Sequence, residues 1–97
     1  MVEKMIVNAV GNYVENDWQN PRTGEKKKIK SFGLVLQSGS DVFATEAQDE
    51  MAETLRDMNI KQDSHVLASL SFSASRTEKD GVVRYFQRVR IEKLVVL

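Results

Sequence analysis

The sequence contains no cysteine, one histidine, one proline and five glycines in 97 residues. The absence of cysteine excludes a disulfide framework, a thiolate metal site and a cysteine nucleophile. A single histidine, His65, excludes a histidine-pair zinc site, so we predict no metal and no cofactor. The longest apolar runs are a few residues long, and no basic segment followed by an apolar one opens the chain. We therefore expect neither a membrane span nor a secretory signal, and a cytoplasmic location.

The charged residues are balanced in number but segregated along the chain. Hydrophobic residues make up 41% and charged residues 29%, a balance typical of a globular protein, and the length fits a single domain over residues 1–97. The net charge is zero, from 14 basic and 14 acidic residues. Residues 22–30 and 76–93 are rich in lysine and arginine, whereas residues 41–63 are rich in acids. A basic surface can therefore coexist with a neutral total if the acidic segment faces elsewhere.

Alternation of apolar and polar side chains predicts five strands. These strands cover residues 3–14, 29–37, 41–44, 66–74 and 82–97. Gly11 is predicted to mark a bend or bulge in the first strand. Residues 16–28 contain the only proline, Pro21, among asparagine, aspartate and glycine, and they predict a long exposed loop.

One helix is predicted after the third strand. Thr45 to Gln48 has the capping-box spacing Thr-x-x-Gln, and the helix is predicted to run to about Met58. A narrow apolar stripe would be buried, and it consists of Ala47, Met51, Leu55 and Met58. The neighbouring acids Glu46, Asp49 and Glu50 are interpreted as charges that favour a helix N-terminus, in preference to a catalytic acid and base.

The predicted order, β-β-β-α-β-β, defines a mainly β fold with one α-helix. A single helix between the third and fourth of five strands is the connectivity of the OB-fold, a Greek-key barrel whose face and loops bind oligonucleotides or oligosaccharides. An RNA-recognition motif needs two helices, and a double-stranded-RNA domain begins and ends with helices. We therefore predict a five-stranded OB-fold barrel, with the helix plugging one end and its acidic side turned away from the binding face.

The final strand carries a row of arginines around an aromatic ring. Alternation places Arg84, Phe86, Arg88 and Arg90 on one side of it. Cations that follow a phosphate backbone, with a ring on which a base can stack, are what sequence-tolerant binding of single strands needs. The alternative interpretation is a solvated strand face with one exposed phenylalanine.

The predicted first loop joins the only tryptophan to a group of bases: Trp18, Arg22, Lys26, Lys27 and Lys28. That loop borders the ligand face in OB-folds, so these residues are candidates for nucleic-acid binding. Alternatively, Trp18 folds back onto the rim of the barrel. Lys30, Arg76 and Lys79 extend the basic pattern, although each taken alone is better explained as an ordinary surface residue. The remaining aromatic residues are predicted to lie in the core or at the barrel rim: Tyr13, Phe32, Phe43, Phe72 and Tyr85.

In this architecture the chain resembles the small OB-fold single-stranded-DNA-binding proteins of bacteria and their phages. The resemblance lies in a long first strand, a basic loop, a hairpin, a helix and a terminal hairpin ending in Gln87-Arg88-Val89-Arg90-Ile91-Glu92-Lys93-Leu94. It implies non-catalytic binding of single-stranded DNA, with RNA left open, and a role in DNA replication. It also implies a homodimer or larger homo-oligomer.

The end of the chain departs from that pattern. Bacterial proteins of this kind usually finish in a flexible acidic tail that recruits partners, whereas this sequence ends in Leu94-Val95-Val96-Leu97. Recruitment through a tail is therefore not expected, and the apolar end would be a subunit contact or the last strand of the barrel. The alternative function is a small-barrel protein-interaction module, such as a subunit of a phage or mobile-element assembly, which the zero net charge favours. No enzyme is predicted.

Overall fold

The computed structural model describes residues 2–97, which form five strands and one helix in the predicted order. The elements are β1 (Val2–Gln19), β2 (Lys26–Ser38), β3 (Asp41–Gln48), α1 (Asp49–Asp57), β4 (His65–Lys79) and β5 (Val82–Val96). Neighbouring strands follow the order β1-β2-β3-β5-β4, and the sheet closes on itself between β4 and β1. This order confirms the predicted OB-fold.

The closure of the sheet depends on the long, bent strand β1 and on a short parallel seam between β3 and β5. The register of β1 shifts between Val7 and Ala9 and again between Val10 and Tyr13, so its first part pairs with β4 while most of its length pairs with β2. Gly11 lies in the second irregularity, as predicted. All pairs are antiparallel except β3 and β5, which run parallel and are joined by one register pair, Glu46 opposite Arg90.

One hydrophobic core fills the barrel. On β2 the alternation is regular, because Phe32, Leu34 and Leu36 are buried and the intervening residues are not. On β5, Ile91 and Leu94 are both buried although three residues apart, because the β4–β5 register shifts opposite them. The described core residues are Met5, Val7, Phe32, Leu34, Leu36, Ala47, Ala52, Leu55, Ile60, Val66, Ala68, Leu70, Ile91 and Leu94.

The prediction of a long loop over residues 16–28 is wrong. β1 continues to Gln19 and β2 begins at Lys26, with Trp18 opposite Lys27 in the ladder. Only a short turn remains, in which the Asn20 N–H donates to the Glu25 carbonyl at 2.7 Å and Gly24 has a φ of +73°. Several residues of this segment favour turns when considered alone. The β1–β2 ladder satisfies the hydrogen-bonding groups of their backbone, so the strand pairing prevails over that local preference.

The predicted capping box is also wrong. Thr45 to Gln48 belong to β3, where Thr45 and Ala47 point into the core and pair with Leu34 and Phe32. The Thr45 hydroxyl donates to the Leu34 carbonyl at 2.8 Å, so it is not available to cap a helix. α1 therefore begins three residues later than the capping box indicates, with Gln48 in place of Thr45 before its first residue, and it buries Ala52 and Leu55. Met51 and Met58 are partly buried against the core.

Tyr13, Phe32 and Phe43 lie in or against the core as predicted, whereas Phe72, at 45%, and Tyr85 are exposed. Phe32 is buried, Tyr13 and Phe43 pack against the core, and Phe72 meets Phe43 edge to face with 5.8 Å between ring centroids. Tyr85 is 71% exposed, because the β4–β5 hairpin extends beyond the barrel at that point. The C-terminal segment forms the last strand of the barrel, with Leu94 in the core.

Within residues 2–97, no helix has the length and hydropathy needed to cross a bilayer. No cluster of three or more histidine, aspartate or glutamate side chains suited to a metal ion occurs in this described part of the chain.

Candidate functional site

A groove of about 380 Å³ runs along the outer face of β2 and β3 and is bounded by β5. Its floor consists of small outward-facing residues, Ser31 and Gly33 on β2 and Ala44 on β3, while Gln87 and Arg88 contribute from β5. A side chain at Gly33 would meet only the Thr45 carbonyl, at 3.7 Å, so the floor is open above this glycine. The face formed by the second and third strands is the surface on which OB-folds bind oligonucleotides.

An ion pair crosses this groove. Arg88 Nη2 lies 2.8 Å from Glu46 Oε1, and the same carboxylate oxygen accepts a hydrogen bond from Gln48 Nε2 at 3.0 Å. The Arg88 and Glu46 side chains are 44% and 39% exposed. Because both groups are well solvated, the pair is exchangeable and contributes little to stability.

The arginine row of β5, composed of Arg84, Phe86, Arg88 and Arg90, shares one face of the strand. The β4 residues opposite these four are Thr77, Ser75, Ser73 and Ser71, so the face carries hydroxyl groups beside the cations. Phe86 is 51% exposed, and within residues 2–97 neither Arg84 nor Arg90 forms an ion pair. Both properties suit a surface that contacts an anionic, aromatic ligand.

The outer face of the β4–β5 hairpin tip forms a cleft of its own, of about 500 Å³. Thr77, Lys79, Arg84 and Phe86 line it, so the structure brings Lys79 into the same surface as the arginine row. Arg76 is not part of that surface. It pairs with Tyr85 on the opposite face of the hairpin, and its Nη2 lies 3.1 Å from Glu78 Oε2.

The tryptophan lies on the outer face of the β1–β2 hairpin. Trp18 is 40% exposed, and Lys27 Nζ sits 5.2 Å from the centroid of its ring. A surface cavity of about 660 Å³ adjoins both residues and includes Lys26 and Lys28 among its lining. Trp18 is outside the hydrophobic core, so a large part of its ring surface is open to solvent beside cations.

Lys28 and Lys30 point to the other face of that hairpin, toward α1. Lys28 Nζ lies 3.7 Å from Glu15 Oε2, and Lys30 is hydrogen-bonded to Glu53 of the helix. The hydrogen bond to Glu53 raises the pKa of Lys30. Both candidate residues are therefore engaged with carboxylates, although Lys28 also lines the cavity beside Trp18. Arg22 is exposed in the turn, where its backbone N–H donates to Asn20 Oδ1 at 2.9 Å.

The two hairpins leave the barrel at opposite ends, with the groove between them. β2 extends past Ser31, which pairs with the last residue of β3, so the β1–β2 hairpin projects at the α1 end. Because β5 runs parallel to β3, its first residues project at the other end. Lys27 and Ser31 face outward on the same strand, about 13 Å apart along it. An outer strip therefore leads from Trp18 and Lys27 along β2 to the groove and Arg88.

Sequence reasoning missed Glu46 and Gly33 as residues of this surface. Glu46 was interpreted as a helix-terminus charge, but it faces outward from β3 beside Arg88. Continuing the alternation of Phe43 and Thr45 through Ala47 would have placed Glu46 on a strand. For Gly33 the local pattern offers no signal, because its position in the groove depends on the approach of β5.

Comparison with known proteins supports the fold. No protein-family model matches the sequence, and no curated protein matches it either. The structure is similar to that of the mitochondrial single-stranded DNA binding protein Rim1 of S. cerevisiae, with a TM-score of 0.54 and 11% identity over 100% of this chain and 96% of that one. A small single-stranded DNA-binding protein from Streptomyces coelicolor gives a TM-score of 0.49 and 10% identity over 99% and 93%. The first likeness establishes a shared fold.

Proposed function

We propose that this protein binds single-stranded DNA without catalysing a reaction, along the outer strip from Trp18 and Lys27 to the groove and the arginine row of β5. One observation carries the proposal most strongly: the β2–β3 face of an OB-fold holds a groove with a half-exposed tryptophan beyond one end and a row of arginines at the other. The S. cerevisiae protein with the same fold is a single-stranded DNA binding protein, which supports the same ligand class.

The basic and the aromatic residues of this surface would contact different parts of the DNA. Arg84, Arg88 and Arg90 would contact phosphates, while Trp18 and Phe86 would stack on bases. Stacking tolerates any base, because each base presents a π-face, so little sequence preference is expected. The small residues Ser31, Gly33 and Ala44 leave room for the strand between these two stacking positions.

The proposal is tested by fluorescence anisotropy of a labelled dT oligonucleotide of about 20–30 nucleotides, titrated at low salt. We expect saturable binding that weakens with salt, with a log–log slope of roughly −0.7 for each neutralised phosphate. Intrinsic fluorescence of Trp18 should be quenched over the same concentration range. A labelled duplex of equal length should bind more weakly, because its bases are not free to stack.

A matched pair of variants locates the surface. Arg88→Ala should weaken binding about tenfold, since it removes a cation from the groove and leaves Glu46 unneutralised there. Lys93→Ala removes one cation from the same strand, but Lys93 lines a separate cavity with Leu67 and Val95, outside the groove. This variant should bind as the unaltered protein does. A flat anisotropy curve for the unaltered protein at low salt would refute the proposal and favour a protein-interaction module.

A further inference from the structure

Glu46 is an acid in the middle of a surface proposed to bind a polyanion. We infer that the Glu46 carboxylate competes intramolecularly with phosphate for Arg88, and that it thereby lowers the affinity of the groove and its salt dependence. This inference rests on the proposed function and concerns the regulation of the same site. The inference adds to the proposed function by assigning Glu46 a role that opposes binding.

The geometry holds the carboxylate in place before any ligand arrives. Glu46 faces outward from β3, directly opposite Gly33 of β2, so it stands at the groove floor. Gln48 Nε2, from the same face of β3, donates to Glu46 Oε1 at 3.0 Å. Arg88 reaches this same oxygen from β5, at 2.8 Å. The acid is thus fixed by its own strand, and the guanidinium comes from the opposite wall.

The Glu46 carboxylate and a phosphate of the DNA can replace each other as the partner of Arg88. A guanidinium donates to carboxylate and to phosphate oxygens with the same planar fork of N–H groups. The Arg88 and Glu46 side chains are 44% and 39% exposed, so exchanging one oxyanion for another at Arg88 involves little desolvation. While the pair is intact it carries no net charge, and it releases no counterion from a bound strand.

The opposite role for Glu46 would be to position Arg88 for a phosphate. In that case removal of the carboxylate leaves Arg88 less well oriented, and binding weakens. The competitor role predicts the reverse, because removal frees a cation and removes an anion from the path of the strand. The sign of the change in affinity therefore distinguishes the two roles.

The experiment compares the unaltered protein with Glu46→Gln, Glu3→Gln, Arg88→Ala and the double variant Glu46→Gln/Arg88→Ala. Binding of the labelled dT oligonucleotide is followed by anisotropy from about 50 to 300 mM salt. Glutamine preserves the shape of Glu46, and a thermal melt checks that the fold is retained. Glu3→Gln is the matched control, because it removes an equal charge from β1, where Glu3 accepts a hydrogen bond from the Ser38 hydroxyl outside the groove and the arginine row.

We expect Glu46→Gln to bind about tenfold more tightly at the lowest salt, with a slope steeper by up to about 0.7. Glu3→Gln should change neither quantity appreciably, and adding Arg88→Ala to Glu46→Gln should abolish the gain. If the unaltered protein binds and Glu46→Gln binds equally or more weakly, the inference is overturned and the proposed function stands. If all variants give flat curves, both are overturned.

Discussion

Gly11 lies where the backbone of β1 comes close to that of β2. A Cβ atom built at this position would be 2.8 Å from the carbonyl oxygen of Gly33, and the surrounding atoms are backbone that has little freedom to move. Gly11→Ala should therefore destabilise the protein by roughly 1–3 kcal/mol, because the two strands must separate to admit a methyl group. Urea denaturation followed by far-ultraviolet circular dichroism measures the change.

The control for that variant is Gly33→Ala. Its methyl group would meet the Thr45 carbonyl at 3.7 Å, an ordinary van der Waals contact, so the free energy of unfolding should stay within about 0.5 kcal/mol of its original value. Equal destabilisation by both substitutions would contradict the role given to the close approach at Gly11.

Gly33 also offers a test of the groove that does not alter any charge. Gly33→Val places a branched side chain on the groove floor, on a strand that favours such residues. The affinity for the dT oligonucleotide should fall about tenfold, equivalent to roughly 1.4 kcal/mol, while the urea midpoint is retained. Unchanged affinity in a folded Gly33→Val protein would show that the strand does not enter the groove.

At the scale of elements, a charged network fastens the β1–β2 hairpin to α1. Arg56 of the helix lies 4.5 Å from the ring centroid of Tyr13, whose hydroxyl donates to Glu15 Oε1 at 2.8 Å. Lys30 of β2 bonds to Glu53 of the helix. The hydrogen bond from Tyr13 lowers the pKa of Glu15 below its ordinary value of 4.5. Burial, followed by the bond to Glu15, raises the pKa of Tyr13.

This network predicts a pH dependence on the acid side. A carboxyl whose pKa is lower in the folded protein stabilises it above the ordinary pKa of 4.5, and this contribution is lost as the pH falls below that value. Glu15→Gln should therefore reduce the loss of stability between about pH 5 and pH 3. Thermal melting at half-unit pH steps measures it, with Glu25→Gln in the exposed turn as a control of equal charge. Parallel pH profiles for Glu15→Gln and the unaltered protein would contradict the prediction.

Most elements could be predicted from alternation, but their ends could not. β2 and β4 alternate regularly where they line the core, so their existence and inward faces follow from the residues alone. The extension of β1 to Gln19 could not be predicted, because Asn16, Asp17 and Asn20 favour turns and only the pairing with β2 offsets that preference. The start of α1 was missed for a related reason, since Thr45 has the capping spacing but donates to Leu34 across the sheet.

At the scale of the whole molecule, the candidate residues divide between surfaces in a way that local patterns do not show. Alternation correctly placed Arg84, Phe86, Arg88 and Arg90 on one face. It could not show that Lys28 and Lys30 turn toward the acids Glu15 and Glu53, because these contacts join parts of the chain that are distant in sequence or on another strand. Part of the basic charge that is concentrated in residues 22–30 is therefore neutralised by acids within the folded protein.

The proposed stacking position at Trp18 and the proposed phosphate position at Arg88 are separate. The changes in binding free energy caused by substituting them should therefore be additive. Trp18 lies on the β1–β2 hairpin and Arg88 at the far side of the groove, and they share no contact in the structure. Trp18→Ala should weaken binding to the dT oligonucleotide by roughly 1–3 kcal/mol. Its combination with Arg88→Ala should equal the sum of the single changes within about 0.5 kcal/mol. Anisotropy titrations of the four proteins measure this.

A short oligonucleotide provides the complementary check. Because a strand of about four nucleotides covers less of this path, Trp18→Ala and Arg88→Ala should not both weaken its binding as they weaken that of the longer strand. If the four-nucleotide strand is equally sensitive to both substitutions, the two residues do not lie at separate ends of one path.

The parallel seam between β3 and β5 has a consequence for motion. Glu46 opposite Arg90 is its one register pair, whereas every other boundary of the barrel is a multi-residue antiparallel ladder. The lowest-energy partial opening of a protein breaks the fewest backbone bonds, so we expect native-state fluctuations to part the barrel along this line. The groove lies on that line, with one wall on each side of it. Transient opening of this seam would then set how fast a DNA strand enters and leaves the groove, independently of how tightly the DNA is bound.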